Sequence, residues 1–231
     1  MKKSHLLLLL LLLFLSYTTV FSQKGNSINN AISDISDVFR YQKNMEYEDY
    51  DGSPYLNHHF FLGTINNTNE NKIYSFQLRY NIYEDKMEIQ KDDESIVNLA
   101  KEDYFNVLIL GEKFVLTTYE INGEKNVGYL ELLFDKNNLI LYRKHTRTLI
   151  SAKKAKSSYE EDKPAKFVTS ESFYFKSKDN NTILLSKKKK DFLKSFESKS
   201  TEIASFMKEN KLKNSKKEDL IKILTYYSTL E

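Results

Sequence analysis

Four histidines, an acidic cluster and a run of lysines are the side chains of this 231-residue chain whose types and spacing invite a chemical reading. His5 sits in an apolar N-terminal stretch. His58 and His59 are adjacent, so on a strand they face opposite sides and cannot ligate one ion together. His145 stands alone in a stretch rich in Lys, Arg and Thr. No metal site is expected from them. Glu46, Glu48, Asp49 and Asp51, followed by Gly52, offer hard oxygen ligands, but their spacing departs from the D-x-[DN]-x-[DN]-G pattern of an EF-hand loop. A solvated acidic loop is the plainer reading.

The catalytic signatures are missing. No G-x-S-x-G elbow, H-E-x-x-H, Walker loop or G-x-G-x-x-G occurs, and six glycines in all make phosphate cradles a poor expectation. There is no cysteine, hence no thiol nucleophile, disulfide framework or lipid-modified cysteine. No cofactor is expected. Carboxylate pairs able to hydrolyse a glycoside are defined by separation in space, so a hydrolase stays as the third functional reading.

Lys187, Lys188, Lys189 and Lys190 form the one dense block of like charge, placed where strand periodicity gives way to helix periodicity. A helix N-terminus disfavours cations by roughly 0.3 to 1 kcal/mol each at exposed sites, so such a block suits contact with acidic lipid headgroups or an acidic partner. The plainer alternative is a solvated helix end that starts later, near Asp191. The wider distribution fits a docking role. Residues 23–100 carry 7 Lys and Arg against 13 Asp and Glu, whereas residues 186–222 carry 12 Lys against 6 acidic groups.

The elements that must position these groups begin after residue 22. Lys2 and Lys3, the apolar stretch Leu6 to Leu15 and Val20-Phe21-Ser22 before Gln23 have the layout of an export signal, so residues 1–22 are set apart from the fold. The stretch is interrupted too early to span a bilayer, and no second span follows. Export makes nucleic acid an unsuitable partner. Ile28, Ile32, Ile35 and Phe39 predict a short amphipathic helix over Ser27 to Arg40.

The organising stretch is Lys72 to Gln90. Tyr74, Phe76, Leu78, Tyr80 and Ile82 alternate with polar residues, and after Tyr83-Glu84-Asp85-Lys86 the alternation resumes at Met87 and Ile89. This is the pattern of a β-hairpin, with Ile82 expected opposite Met87 and Tyr80 opposite Ile89. Further strands are expected at His58 to Ile65, Tyr104 to Leu110, Lys113 to Ile121, Val127 to Phe134, Leu139 to Ile150, Phe167 to Lys176 and Thr182 to Leu185. Turn-formers separate them, Asn122-Gly123 most clearly, because both residues tolerate positive φ. Ser151 to Lys166 reads as a long mobile loop.

The expected fold is α+β: an antiparallel meander of eight or nine strands, curled or barrel-like, in a domain over residues 23–186. Residues 187–231 are expected to form a helical hairpin packed on the sheet. Phe192, Phe196, Ile203, Phe206 and Met207 supply the first apolar face and Leu220 to Leu230 the second, with Ser215 and Glu218 as a capping box.

GSPYLN at Gly52 to Asn57, LRYNIYEDKMEI at Leu78 to Ile89 and the tail FMKENKLKNSKKEDLIKILTYYSTL resemble a set of uncharacterised exported proteins of the Bacteroidota. The signal ending in FSQ is similar to signals of that group. The resemblance implies a periplasmic, outer-membrane-associated or secreted location and carries no activity with it.

Together these features favour a non-enzymatic, envelope-associated binding or assembly protein whose partner is an envelope protein or lipid. A carrier holding an apolar ligand between sheet and helices is the alternative, which a core filled by Phe76, Leu78, Tyr80, Leu132 and Phe173 would exclude.

Overall fold

The computed structural model describes residues 39–40, 50–157, 159–177 and 181–230. The strands are β1 (Phe39–Arg40), β2 (Phe61–Asn67), β3 (Lys72–Asn81), β4 (Lys86–Gln90), β5 (Ile96–Leu99), β6 (Phe105–Ile109), β7 (Glu112–Ile121), β8 (Glu124–Lys136), β9 (Leu139–Ile150), β10 (Lys166–Ser177) and β11 (Ile183–Leu184). Three short helices follow: α1 (Lys189–Lys194), α2 (Ser200–Glu209) and α3 (Lys217–Tyr227). The α+β class holds. The strands form one sheet in the order β1-β5-β4-β3-β2-β6-β7-β11-β10-β9-β8, and a further pairing of β7 with β8 closes the last five into a ring.

Turn chemistry explains the local connections. Asn122 and Gly123 have φ of 52° and 83°, the double left-handed geometry that a two-residue hairpin loop requires between β7 and β8. Asn137 and Asn138 make the same turn between β8 and β9. Leu139–Ile150 is a strand over the bounds expected for it.

Elsewhere the expectations need correction. The hairpin of β3 and β4 keeps its apolar face but slips by two residues: Tyr80 pairs with Met87, Leu78 with Ile89 and Asn81 with Lys86. The slip has its cause in the loop and in a distant carbonyl. Asp85 takes φ of 54°, Asn81 accepts the Glu84 N–H at 3.1 Å, and the Ile82 N–H is drawn to the Pro54 carbonyl, so Ile82 joins the loop. A slip of two preserves the side-chain face, which is why the core survives it.

The sheet is mixed rather than wholly antiparallel, because β11 runs parallel to β7 at Ile183 and Glu120. Ile96–Leu99, not expected as a strand, pairs with β4. The stretch expected to be a mobile loop carries an antiparallel bridge between Lys153 and Lys163. Of the expected N-terminal helix, Phe39 and Arg40 are strand residues paired with Leu99 and Asn98, and the remainder lies outside the described residues, as does the export signal.

The C-terminal segment is three short helices and not the expected two-helix hairpin. Glu197 at φ of 45° breaks the first helix, and Glu197–Lys199 forms a single 3₁₀ turn. The Ser215/Glu218 capping box does not form. Lys216 occupies the cap of α3, and Asp219 accepts the Lys213 N–H at 2.9 Å.

Two large apolar clusters hold the molecule. Phe76, Leu78, Tyr80, Met87, Ile89, Phe105 and Phe114 are buried in the first, on the inward face of β2 to β8. Phe173 and Phe175 of β10 meet Phe192, Phe196, Ile203, Leu220, Ile223 and Tyr227 of the helical segment in the second. Each such side chain contributes about 1.5 to 3 kcal/mol on leaving water.

Candidate functional site

The β8–β9 ladder stops at the Glu131 and Arg143 rung, and beyond it β8 leaves its neighbour. A two-residue step along β8 brings the Tyr129 backbone to the same edge, where its N–H and C=O have lost their strand partner. Unpaired buried backbone groups cost about 1 to 3 kcal/mol each, so they must be met otherwise. Asp85, held out by its left-handed loop, accepts the Tyr129 N–H at 3.3 Å, and the Lys144 ammonium donates to the Tyr129 carbonyl at 3.1 Å. The tip of the organising hairpin thus plugs the split in the sheet.

The plug is ionic. Lys144 Nζ lies 2.7 Å from Asp85 Oδ1, Lys101 Nζ lies 2.6 Å from Oδ2, and the Tyr80 hydroxyl donates to Oδ1 at 2.6 Å. Burial alone would raise the Asp85 pKa, but Lys144 and Lys101 outweigh it and hold the carboxyl below its ordinary value. Burial lowers Lys144 in turn, against the pull of Asp85. Gly128 makes the approach possible, since a Cβ there would stand 2.8 Å from Asp85 Oδ2 and 3.1 Å from Lys144 Nζ.

Beside this plug lies an open groove of about 690 Å³ over the β7–β8 hairpin. Its lining is polar and charge-balanced: Lys101, Lys125 and Lys176 against Glu102, Asp103 and Glu120, with Thr118 and the exposed Val127 between them. Lys101 belongs to both groove and plug. Tyr119 connects them as well, with its ring 5.7 Å from Lys144 Nζ and 5.0 Å from the Tyr174 ring. Burial pushes the Tyr174 phenol up to about 12, so it remains a neutral donor.

A second charged cluster sits where the sheet meets α3. Glu131, 2 % exposed, receives Arg143 at 2.6 Å, His145 Nε2 at 2.8 Å and Lys217 Nζ at 3.2 Å. Burial would raise its pKa, but the hydrogen bonds from His145 and Arg143, the Arg143 charge and Lys217 bring it to about 2. His145 is therefore a buried partner of a carboxylate and not the isolated strand residue its sequence context suggests. Glu112, Glu131 and His145 have ligand atoms within 4.8 Å of one another, the spacing of a metal site. The Arg143 guanidinium already stands between the carboxylates, 3.2 Å from Glu112 and within reach of Glu171 at 3.4 Å, where an ion would have to sit. A carboxylate at about 2 holds no proton at neutral pH, so Glu131 itself is no general acid. It fastens Lys217 of α3 to the sheet.

The polar face of the hairpin is also covered. Glu88 is fully buried and paired with Arg79 at 2.6 Å, and the Arg79 guanidinium lies 3.6 Å over the Tyr55 ring. Cation–π packing of this kind favours Arg for its flat, weakly hydrated head group.

Lys187 to Lys190 are all exposed and lie apart from groove and clusters. Lys188 caps α1 without a side-chain bond, and Lys189 and Lys190 open its first turn. His58 and His59 precede β2, with ring centroids 5.4 Å apart. Of the acidic loop, Asp51 is exposed and the other three carboxylates lie outside the described residues. No family model matches this chain, and comparison with curated proteins and with solved structures gives no match.

Proposed function

We propose that the chain is an exported, non-enzymatic binding component of the cell envelope, and that the groove over the β7–β8 hairpin is where it holds a polar partner or ligand. The observation that carries this is the groove itself, of a size typical for ligand sites, with an evenly charged lining anchored by the half-buried Asp85–Lys144 pair. A balanced lining of lysines, carboxylates and Thr118 suits hydrogen bonding to a neutral polar ligand better than capture of a polyanion.

The carrier reading draws less support. Phe76, Leu78, Tyr80 and Phe173 are buried and Leu132 packs against the Tyr119, Tyr142 and Tyr174 cluster, so these side chains fill the interior that an apolar ligand would need. The hydrolase reading needs a free acid, and Glu131 is fully engaged by cations.

The exposed run Lys187 to Lys190 is the second proposed contact, to acidic headgroups or an acidic protein surface, on the strength of its accessibility. Cosedimentation of the mature chain with isolated envelopes separates the two surfaces. Val127→Trp, which fills the groove, should reduce binding. Charge reversal of all four lysines should weaken it further at low salt, and unchanged binding in that variant counts against the basic surface.

A further inference from the structure

One strand edge in the sheet is left open over a definite length. The Phe167 N–H donates to the Asp51 carbonyl at 2.8 Å, and the Leu185 N–H donates to the Phe173 carbonyl at 2.8 Å. Both bonds lie on the edge of β10 away from β9, so odd-numbered residues of β10 turn their backbone groups to that edge. Between the two bonds, the N–H and C=O of Thr169 and of Glu171 have no partner among the described residues. Val168, Thr169, Ser170 and Glu171 are exposed, with Val168 at 39 %. A row of unpaired strand groups is a template for another strand.

The ends of this slot decide what can enter. Asp51 bridges Lys166 at one end, and Leu184 pairs with Tyr174 at the other. A second copy pairing symmetrically through this edge would offer its own β10, twelve residues long. Laid antiparallel about Ser170, that strand would drive its Lys166 into the place of Leu184 and its Tyr174 into the place of Asp51. A symmetric pair of copies therefore does not fit. A segment of about five residues, roughly 17 Å when extended, does fit if its chain turns away at both ends.

We infer that the β10 edge over Val168 to Ser172 takes a short extended peptide segment of another protein by strand addition. The segment pairs its main chain with Thr169 and Glu171, beside the Glu171 carboxylate that already receives Arg143 at 3.4 Å. This site is separate from the groove and does not depend on it.

The test uses a displayed library of random seven-residue peptides selected against the immobilised mature chain, with one enriched peptide then synthesised. Thr169→Pro removes an N–H that points out of the sheet, which an edge strand tolerates. The expected result is binding to the wild-type chain, about tenfold weaker binding to Thr169→Pro as one main-chain hydrogen bond is lost, and no change on Val127→Trp. On the wild-type chain itself, the Thr169 and Glu171 amides should exchange rapidly when free and become protected with the peptide bound. Absence of enriched peptides, equal binding to Thr169→Pro, or unchanged exchange at both amides would overturn the proposal. A concentration-dependent dimer abolished by Thr169→Pro would overturn the choice of occupant. Loss of peptide binding on Val127→Trp would move the site to the groove, whereas failure of that variant to alter envelope binding touches only the groove.

Discussion

Asp85 and Lys144, 59 positions apart in sequence, meet at 2.7 Å and together complete the backbone hydrogen bonding of Tyr129, which neither neighbouring strand satisfies. The pair joins the hairpin of β3 and β4 to the strands that form the closed ring. Both side chains are half-buried, so removing one partner leaves a poorly solvated charge and an unmet Tyr129 backbone group.

Asp85→Ala should accordingly destabilise the chain by about 1 to 3 kcal/mol, measured by urea unfolding. Lys101→Ala, removing a partner whose side chain is 40 % exposed, should cost less than about 1 kcal/mol. A similar loss in both variants would show that Asp85 is not a keystone.

Much of the sheet was legible because its signals are local. Asn122-Gly123 specifies its turn, and the run Leu139–Ile150 following the turn-formers Asp135 to Asn138 specifies its strand, with neighbouring residues alone. The register slip of the first hairpin was not legible, since it depends on Pro54 capturing the Ile82 N–H from 28 positions away. The four-residue Ile96–Leu99 is too short for alternation to speak, and it gains strand geometry from β4. Glu131, Arg143 and His145 could have been brought together by pairing β8 with β9 across Asn137-Asn138, were it not for the register shift between Leu132 and Phe134. Lys217 and Asp85 reach their clusters from distant elements, and no pattern within a window of sequence marks them.

Acid should test the Glu131 cluster. Its folded pKa, about 2, lies below the ordinary 4.5, so the unfolded chain binds the proton first as pH falls. The stability it contributes is fully present above 4.5 and is lost progressively as pH drops toward 2. Urea midpoints across that window should fall in the wild type. Glu131→Gln should lose about 3 to 5 kcal/mol at neutral pH and show a shallower acid dependence. An equally steep fall in the variant would assign the acid sensitivity to other carboxylates.

The parity of β10 predicts opposite responses to proline at adjacent positions. Thr169 turns its N–H outward, and Ser170 turns its own toward Thr146 of β9. Thr169→Pro should be nearly neutral, while Ser170→Pro should cost at least about 1 to 3 kcal/mol through the lost ladder bond and the unsatisfied Thr146 carbonyl. Thermal unfolding of the two variants side by side reads the difference. Equal losses would mean that the edge is not open.

The most direct measurement of the binding role is the intact mass, under native conditions, of the mature chain purified gently from its own envelope. The account predicts an added mass from a polar ligand in the groove, present on the wild-type chain and absent from Val127→Trp. An added mass of lipid size that Val127→Trp retains would contradict it and return the apolar carrier to first place.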